Sequence, residues 1–329
     1  MKIFITGATG FIGANLSLKL AESGQTVHAL FRSEPKASVL KHSHIRIFKG
    51  DILDKDSLMK GMDSCDRVYH LGAFAQAWCK DPDTYYEVNV VGTKNVLDAA
   101  IRSGVKRIVV TSTAGVVGPS QGIPVDECSV RTIDFCSAYE SSKSIMEKLV
   151  TDYADKGVHV VLVNPTRVYG PGLLSQSNSL TKIISQYVDG KWRILPGDGR
   201  KIGNYAYIDD IVSGHLLAME KGRPGERYIL GGINASYSEF FRTLAEVSGK
   251  NFKLVRIPLF AMVGLSSLFL LWAKVFGRPP LITPAWVKRY LLDWTVSSQK
   301  AEEELGYSII SLELGLRKTL DWMYDEYPQ

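Results

Sequence analysis

The chain has 329 residues, 45% of them apolar and 22% charged, with a formal net charge of +5. That length allows one large or two intimate domains around a full core. The basic excess contains no run of five or more Lys/Arg, which fits a mildly basic enzyme better than a nucleic-acid binder. Cys65, Cys79, Cys128 and Cys136 show neither C-x-x-C spacing nor a histidine cluster. Reduced thiols are expected, not a metal site or a disulfide framework. Strand residues begin at Lys2 with no apolar leader before them, so a cytoplasmic protein is expected.

The first element is KIFITGATGFIG. Lys2 to Thr6 read as a strand, Gly7, Gly10 and Gly13 recur every third residue, and Phe11 to Leu20 continue at helical spacing. A strand, a glycine turn and a helix can hold a dinucleotide pyrophosphate against the helix N-terminus. Gly7, Thr9, Gly10, Phe11, Ile12 and Gly13 are the candidate contacts. Further strands are predicted at Thr26–Phe31, Ile45–Lys49, Arg67–Leu71, Arg107–Thr111 and Val158–Asn164. Helices are predicted at Tyr85–Arg102, before Gly104, and at Ala138–Asp155. This alternation predicts an α/β fold with a doubly wound parallel sheet. At GPGLLSQSNS the rhythm breaks into a loop with helices beyond it, and Arg227–Leu230 reads as one more strand. Residues 1–170, with 205–230 returning to them, are expected to form the dinucleotide-binding domain. Residues 171–204 and 231–329, mainly helical from Gly231, should form a smaller substrate lid.

Cofactor choice is read after the second strand. NAD-binding folds usually end this strand on a carboxylate that bonds the ribose hydroxyls. Here it ends Leu30, Phe31, Arg32, Ser33, with Glu34 and Lys36 behind. Arg32 is read as gripping a 2′-phosphate, hence NADP(H) in preference to NAD(H), against the alternative of a solvated surface arginine. Asp51 in GDILD, followed by Ile52, could meet the adenine, or could be a helix N-cap or turn residue.

The chemistry is expected in the middle of the chain. Tyr139 and Lys143 are four apart and share one helix face. A neighbouring ammonium would lower the tyrosine pKa and let the phenol exchange a proton near neutrality. On an arbitrary helix such a pair is usually just surface. Its meaning changes behind a nucleotide-binding half and the hydroxyl-rich strand end Thr111, Ser112, Thr113.

TGATGFIG, TSTAGVVG and YESSK, in this order, resemble the extended branch of the short-chain dehydrogenase/reductase superfamily, the NAD-dependent epimerase/dehydratase family. NVVGT, NPTRVYGPG, YAYIDDIV and SSQKAEEELGY extend the resemblance over nearly the whole chain. It implies a Rossmann domain in which Thr113 bonds the substrate oxygen, Tyr139 is the acid or base, and Lys143 tunes Tyr139 and holds the nicotinamide ribose. Asn89 would support the proton relay, with helix packing as the alternative. Leu71, Gly72, Ala73, Thr111, Pro165 and Val168 would line the cofactor, though plain core packing suits the first three equally.

Within the branch the details look most like dihydroflavonol reductases and 3β-hydroxysteroid dehydrogenases. Nucleotide-sugar enzymes typically carry Asn where this chain has Arg167, and Arg where it has Gly203. The latter change removes a partner for a diphosphate, unless Arg200 or Lys201 substitutes. Asp209 and Asp210 are expected to cap or brace the following helix. The expected function is NADP(H)-dependent reduction of a bulky apolar ketone, or oxidation of the alcohol. The alternatives are a nucleotide-sugar epimerase or dehydratase, and a non-catalytic dinucleotide sensor. Expected partners are a small apolar substrate and a second copy of the chain, with no nucleic acid.

Ile257 to Ala273 hold seventeen residues without a charge. This is short for a membrane span. The stretch reads as a buried lid helix, a wall for an apolar substrate, or a peripheral membrane contact helped by Lys274, Arg278, Lys288 and Arg289.

Overall fold

Seven of the apolar runs pair side by side, all in one direction. In the computed structural model, which describes residues 1–32, 38–174, 178–278, 280 and 282–326, these are β1 (Lys2–Thr6), β2 (Thr26–Phe31), β3 (Ile45–Lys49), β4 (Arg67–His70), β5 (Arg107–Thr111), β6 (Val160–Pro165) and β10 (Arg227–Leu230). Their order is β10-β6-β5-β4-β1-β2-β3. Ile3 lies opposite Val27 on one side and Arg67 on the other. Every residue of β6 is buried, as expected of a strand covered on both faces. One face packs on α1 (Phe11–Glu22) and α7 (Ile208–Lys221) through Phe11, Leu16, Ile208 and Ile211. The other packs on α2 (Lys55–Gly61), α4 (Gly92–Arg102) and α5 (Ala138–Ala154) through Leu58, Val96, Leu97, Met146 and Val150.

Several boundaries differ from the sequence expectations. The helix expected over Tyr85–Arg102 is α3 (Asp83–Tyr86), a π-helical turn at Glu87–Val91, and α4. The wide turn carries Asn89, whose side chain bonds outside the helix. The fourth strand stops at His70, one residue before Leu71. The sixth runs from Val160 to Pro165 instead of Val158–Asn164, and α5 ends at Ala154 with Asp155 as its C-cap. Helix α2 has no counterpart among the expected elements; Asp54 caps it by accepting from the backbone N–H groups of Asp56 and Ser57.

The chain beyond β6 is also less helical than expected. Strands β7 (Arg167–Tyr169), β9 (Ile202–Tyr207) and β11 (Ile233–Ser236) form a second sheet, and β8 (Ile194–Pro196) pairs with β12 (Val255–Ile257). Most are three or four residues long, too short to show a period, and their partners lie far along the chain. The lid helices are α6 (Ser179–Val188), α8 (Tyr237–Ser248), α9 (Leu259–Phe276), α10 (Pro284–Tyr290), α11 (Gln299–Leu305) and α12 (Leu312–Glu326). Ile257 therefore ends a strand, Pro258 precedes α9, and the helix runs past Ala273 to Phe276. Asp210 braces rather than caps α7: its carboxylate accepts from the Ile310 N–H at 3.0 Å, while Tyr207 occupies the N-cap without a side-chain bond.

The two sheets meet at Gly232. A Cβ there would sit 1.9 Å from the Tyr205 carbonyl oxygen and 2.5 Å from Ala206 Cα, both backbone atoms. Gly232→Ala is expected to destabilise the fold by about 1–3 kcal/mol, read as a lower urea midpoint at unchanged slope.

Candidate active site

Backbone contact shapes the nucleotide end. Gly7 has φ +67, and a Cβ on it would lie 2.6 Å from Gly72 N and from the Leu71 carbonyl carbon. A Cβ on Gly13 would lie 2.2 Å from Gly7 O. Only glycine lets the turn after β1 press onto the end of β4 while α1 starts directly beneath it. Gly10 is the N-cap of α1 with no side-chain bond, and the first turn has no acidic residue. The first N–H groups of α1 are thus uncapped by side chains, and the helix dipole favours an anion there. Phe11 is buried, with Thr9 and Ile12 half-buried beside it. The residues present fit a dinucleotide pyrophosphate.

Two neutral histidines lock the strand ends. Thr93 Oγ1 donates to Asn89 O at 2.7 Å and faces His70 Nε2 at 2.8 Å. His70 therefore carries its proton on Nε2, and Nδ1 accepts from Thr6 Oγ1 at 2.6 Å. Thr6 Oγ1 in turn accepts from Gly72 N at 3.0 Å. Burial, with the Lys143 charge beside it, pushes His70 down to about 3. His215 donates from Nδ1 to Ile211 O at 2.7 Å and accepts from Thr111 Oγ1 at 2.9 Å; burial holds it at about 4.

The tyrosine–lysine pair sits on α5, above the end of β5. Lys143 is buried, and its Nζ donates to Thr111 O at 2.7 Å. Burial lowers its pKa to about 8, with Glu147 opposing the fall. Tyr139 is half-buried, and burial pushes its phenol up to about 12, partly countered by Arg289. This corrects the expectation of a lowered tyrosine pKa, because in the protein alone desolvation outweighs any neighbouring cation. Thr113, two residues beyond β5, caps a short 3-10 turn at Ala114–Val116; its Oγ1 accepts from Gly115 N at 3.2 Å and its carbonyl accepts from Asn164 Nδ2 at 3.0 Å. Ser112 Oγ is buried with no hydrogen-bond partner among the described residues.

Asn89 spends its whole amide on structure. Oδ1 accepts from Phe74 N at 2.7 Å, and Nδ2 donates to Phe74 O at 3.2 Å and Ser142 Oγ at 2.9 Å. It thus ties the segment after Ala73 to α5. Pro165 is buried at the end of β6, and Val168 is half-buried in β7. Ile52 is buried against Gly92. Arg32 is exposed, 3.8 Å from the Asp51 carboxylate. Asp51 is a turn residue, accepting from Leu53 N at 3.0 Å, and not the cap of α2. Ser33, Glu34 and Lys36 lie outside the described residues.

Two arrangements gave no local sequence signal. Glu140, next to Tyr139, is wholly buried and takes Arg131, Arg289 and the Cys136 N–H. Arg167 donates to Tyr237 OH at 2.8 Å and lies 5.3 and 5.8 Å from the ring centres of Tyr237 and Tyr290. No carboxylate pairs with it among the described residues. The suggested substitutes for a cation at 203 are engaged elsewhere, Arg200 with Asp198 and Lys201 with Asp293. A cavity of about 340 Å³ reaches the start of α5 at Ser137 and Ala138, with Trp78, Lys80, Tyr85, Leu270 and Ala273 among its other lining residues.

The Lys143 pKa sets a pH dependence. Its folded value, about 8, lies below the ordinary 10.5. Between these values the unfolded chain binds more protons, so this group's contribution to stability rises with pH. Lys143→Met should remove that rise and stabilise the ligand-free protein at neutral pH by roughly 2–3 kcal/mol. Urea unfolding of both proteins on either side of the window reads the difference.

The model of the NAD dependent epimerase/dehydratase family matches residues 3–231. The chain is 30% identical to the 2-alkyl-3-oxoalkanoate reductase of Stenotrophomonas maltophilia, over 97% of this chain and 98% of the relative. It is 29% identical to the 3 beta-hydroxysteroid dehydrogenase/Delta 5-->4-isomerase of Mycobacterium tuberculosis, over 93% and 85%. Among solved structures, the UDP-glucose 4-epimerase of Thermotoga maritima superposes with a TM-score of 0.83 over 99% of both chains at 24% identity, a likeness of fold. A strand–glycine–helix cradle, a Tyr-x-x-x-Lys helix beside β5 and full-length relatives agree: this chain is an NAD(P)-dependent member of the NAD dependent epimerase/dehydratase family, the extended short-chain dehydrogenases/reductases.

Proposed function

We propose that the protein is an NADP(H)-dependent reductase of a bulky, apolar ketone, or the dehydrogenase of the corresponding secondary alcohol. The apolar cavity carries this reading. It opens at Ala138, next to Tyr139, and α9 supplies part of its wall. Two relatives are named for a 3-oxoalkanoate and a 3β-hydroxysteroid, both with a hydrocarbon body and an oxygen at C3, the first with a carboxylate as well.

When bound, the nicotinamide supplies the hydride to the carbonyl carbon. Thr113 Oγ1 holds the carbonyl oxygen, and Tyr139 gives that oxygen its phenolic proton. A phenol held near 12 keeps its proton at neutral pH, which suits a donor in the reductive direction. The Lys143 ammonium, charged below about 8, stabilises the phenolate left behind and reaches the ribose. Asn89 positions α5 against the segment after β4. Arg32, exposed at the end of β2, grips the 2′-phosphate. The reading includes a homodimer, for which Tyr86, Val91 and Ile145 supply exposed apolar surface on α3, the π-helical turn and α5. A molar mass from light scattering checks it.

The deciding experiment is a screen of NADPH oxidation over ketosteroids, flavonoid ketones, 3-oxoacyl compounds and nucleotide sugars. Stoichiometric oxidation with an apolar ketone supports the reading. Conversion of a nucleotide sugar with no net absorbance change would make it an epimerase.

Tyr139→Phe should bind NADPH as the native protein does while turnover falls by at least about a hundredfold. Native turnover in that variant would remove Tyr139 from the reaction. Arg32→Asp should weaken NADPH about ten- to a hundredfold and leave NADH nearly unchanged, one charged bidentate contact being lost. Equal affinity of the native protein for the two cofactors would count against the phosphate clamp.

A further inference from the structure

Helix α9 has two unlike faces. Met262, Ser266 and Ala273 are buried, and Ala273 and Leu270 line the cavity that reaches Ala138 at the start of α5. The opposite side exposes Leu265, Leu268, Leu271, Trp272, Val275 and Phe276, whose spacing of three and four makes one stripe, with Leu268 64% and Val275 69% exposed. An apolar stripe of this size left in water marks a contact surface.

The charge around it is one-sided. Between Glu246 and Asp293 the sequence has no carboxylate, but it has Lys250, Lys253, Arg256, Lys274, Arg278, Lys288 and Arg289. The other 32 of the 39 basic residues are outnumbered by the 34 acidic ones, so the positive excess falls in this stretch of sequence, where Arg289 alone is spent on buried Glu140. Lys250, Lys253, Arg256, Arg278 and Lys288 are exposed. Arg256 in β12 precedes α9 and Arg278 follows its last turn, so cations bracket both ends of the stripe.

We propose that this face of α9 lies flat in the interface of an anionic lipid bilayer, with the cavity behind it open to substrate from the lipid. Aliphatic and aromatic side chains would sit at the acyl boundary while the bracketing arginines pair with lipid phosphates. A second copy of the chain is a poor occupant, because two such patches face to face oppose cations without a carboxylate between them. No helix among the described residues is long and apolar enough to span a membrane.

Flotation of the full chain with vesicles of phosphatidylcholine, alone or mixed with phosphatidylglycerol, tests this. The native protein should float with the mixed vesicles, less with the neutral ones, and less at high salt. A Leu268→Ser/Leu271→Ser double variant and an Arg256→Glu/Arg278→Glu double variant should each lose at least about tenfold in binding. Their melting temperatures and NADPH affinity should stay native, because these side chains already face water. A native protein that stays with the unbound fraction overturns the proposal, as do variants that float like the native. A solution dimer that the serine variant splits would assign the face to a second copy. Flotation needs no turnover, so it stands or falls separately from the ketone-reductase reading.

Discussion

The buried carboxylate of Glu140 is the point on which the surroundings of Tyr139 depend. A carboxylate withdrawn from water costs several kcal/mol unless its lone pairs are filled by charged or hydrogen-bonded partners. Here Arg131 at 3.1 Å, the Cys136 N–H at 2.9 Å and Arg289 fill them. Arg131 also holds the carbonyls of Gly115 and Asp134, and Arg289 belongs to lid helix α10 and stacks on Trp294 at 4.2 Å. One acidic group thus fixes the loop after β5, the entry to α5 and the lid at once. Removing any partner strands a charge, so the three segments stay in register around the tyrosine.

Among the described residues, the polar groups around the end of β5 leave the Lys143 ammonium without a contact carboxylate, unlike Arg131 and Arg289. His70 and His215 lie close by but are held neutral, and each spends both ring nitrogens on hydroxyl or carbonyl partners. They act as spacers between strand ends and the helices behind them, not as acids. Thr111 serves both systems, its hydroxyl to His215 and its carbonyl to Lys143. Deep in the core Glu147 takes Asn164 and Arg227, which leaves the Lys143 ammonium bonded to a carbonyl and free of a contact ion pair. That is why its pKa falls, and why its charge is available to a phenolate.

What was legible in the sequence was whatever is decided within a few residues. The glycine spacing after β1 and the Tyr139–Lys143 interval are local, and both elements form where expected. The parallel strands were legible because burial on both faces makes them continuous apolar runs. The short strands β7, β8, β11 and β12 were not, since runs of three or four residues show no period and pair across 28 to 61 residues. The tyrosine pKa was misjudged for a different reason. Interval four says that two side chains share a face, but not that the lysine is buried with its ammonium tied to a carbonyl. The apolar stretch from Ile257 was recognised as unusual, yet only three-dimensional packing separates its cavity face from its exposed stripe.

The two departures from the nucleotide-sugar pattern, Arg167 and Gly203, are one feature in space. A Cβ on Gly203 would lie 3.1 Å from the Arg167 guanidinium and 3.0 Å from the Tyr205 ring. A side chain at 203 and the guanidinium of 167 therefore compete for the same space. β7 and β9 are adjacent in the lid sheet, with Arg167 opposite Tyr205, so exchanging the residues moves a cation from one strand to its neighbour instead of deleting it. In its place between Tyr237 and Tyr290 the guanidinium has π faces and one hydroxyl, which stabilise its charge without neutralising it. The loss of a cation at 203 consequently says little about whether a substrate may carry an anion. The cavity that ends at Ser137 and Ala138 is walled mainly by apolar side chains, with Lys80 as its one cation among the lining residues.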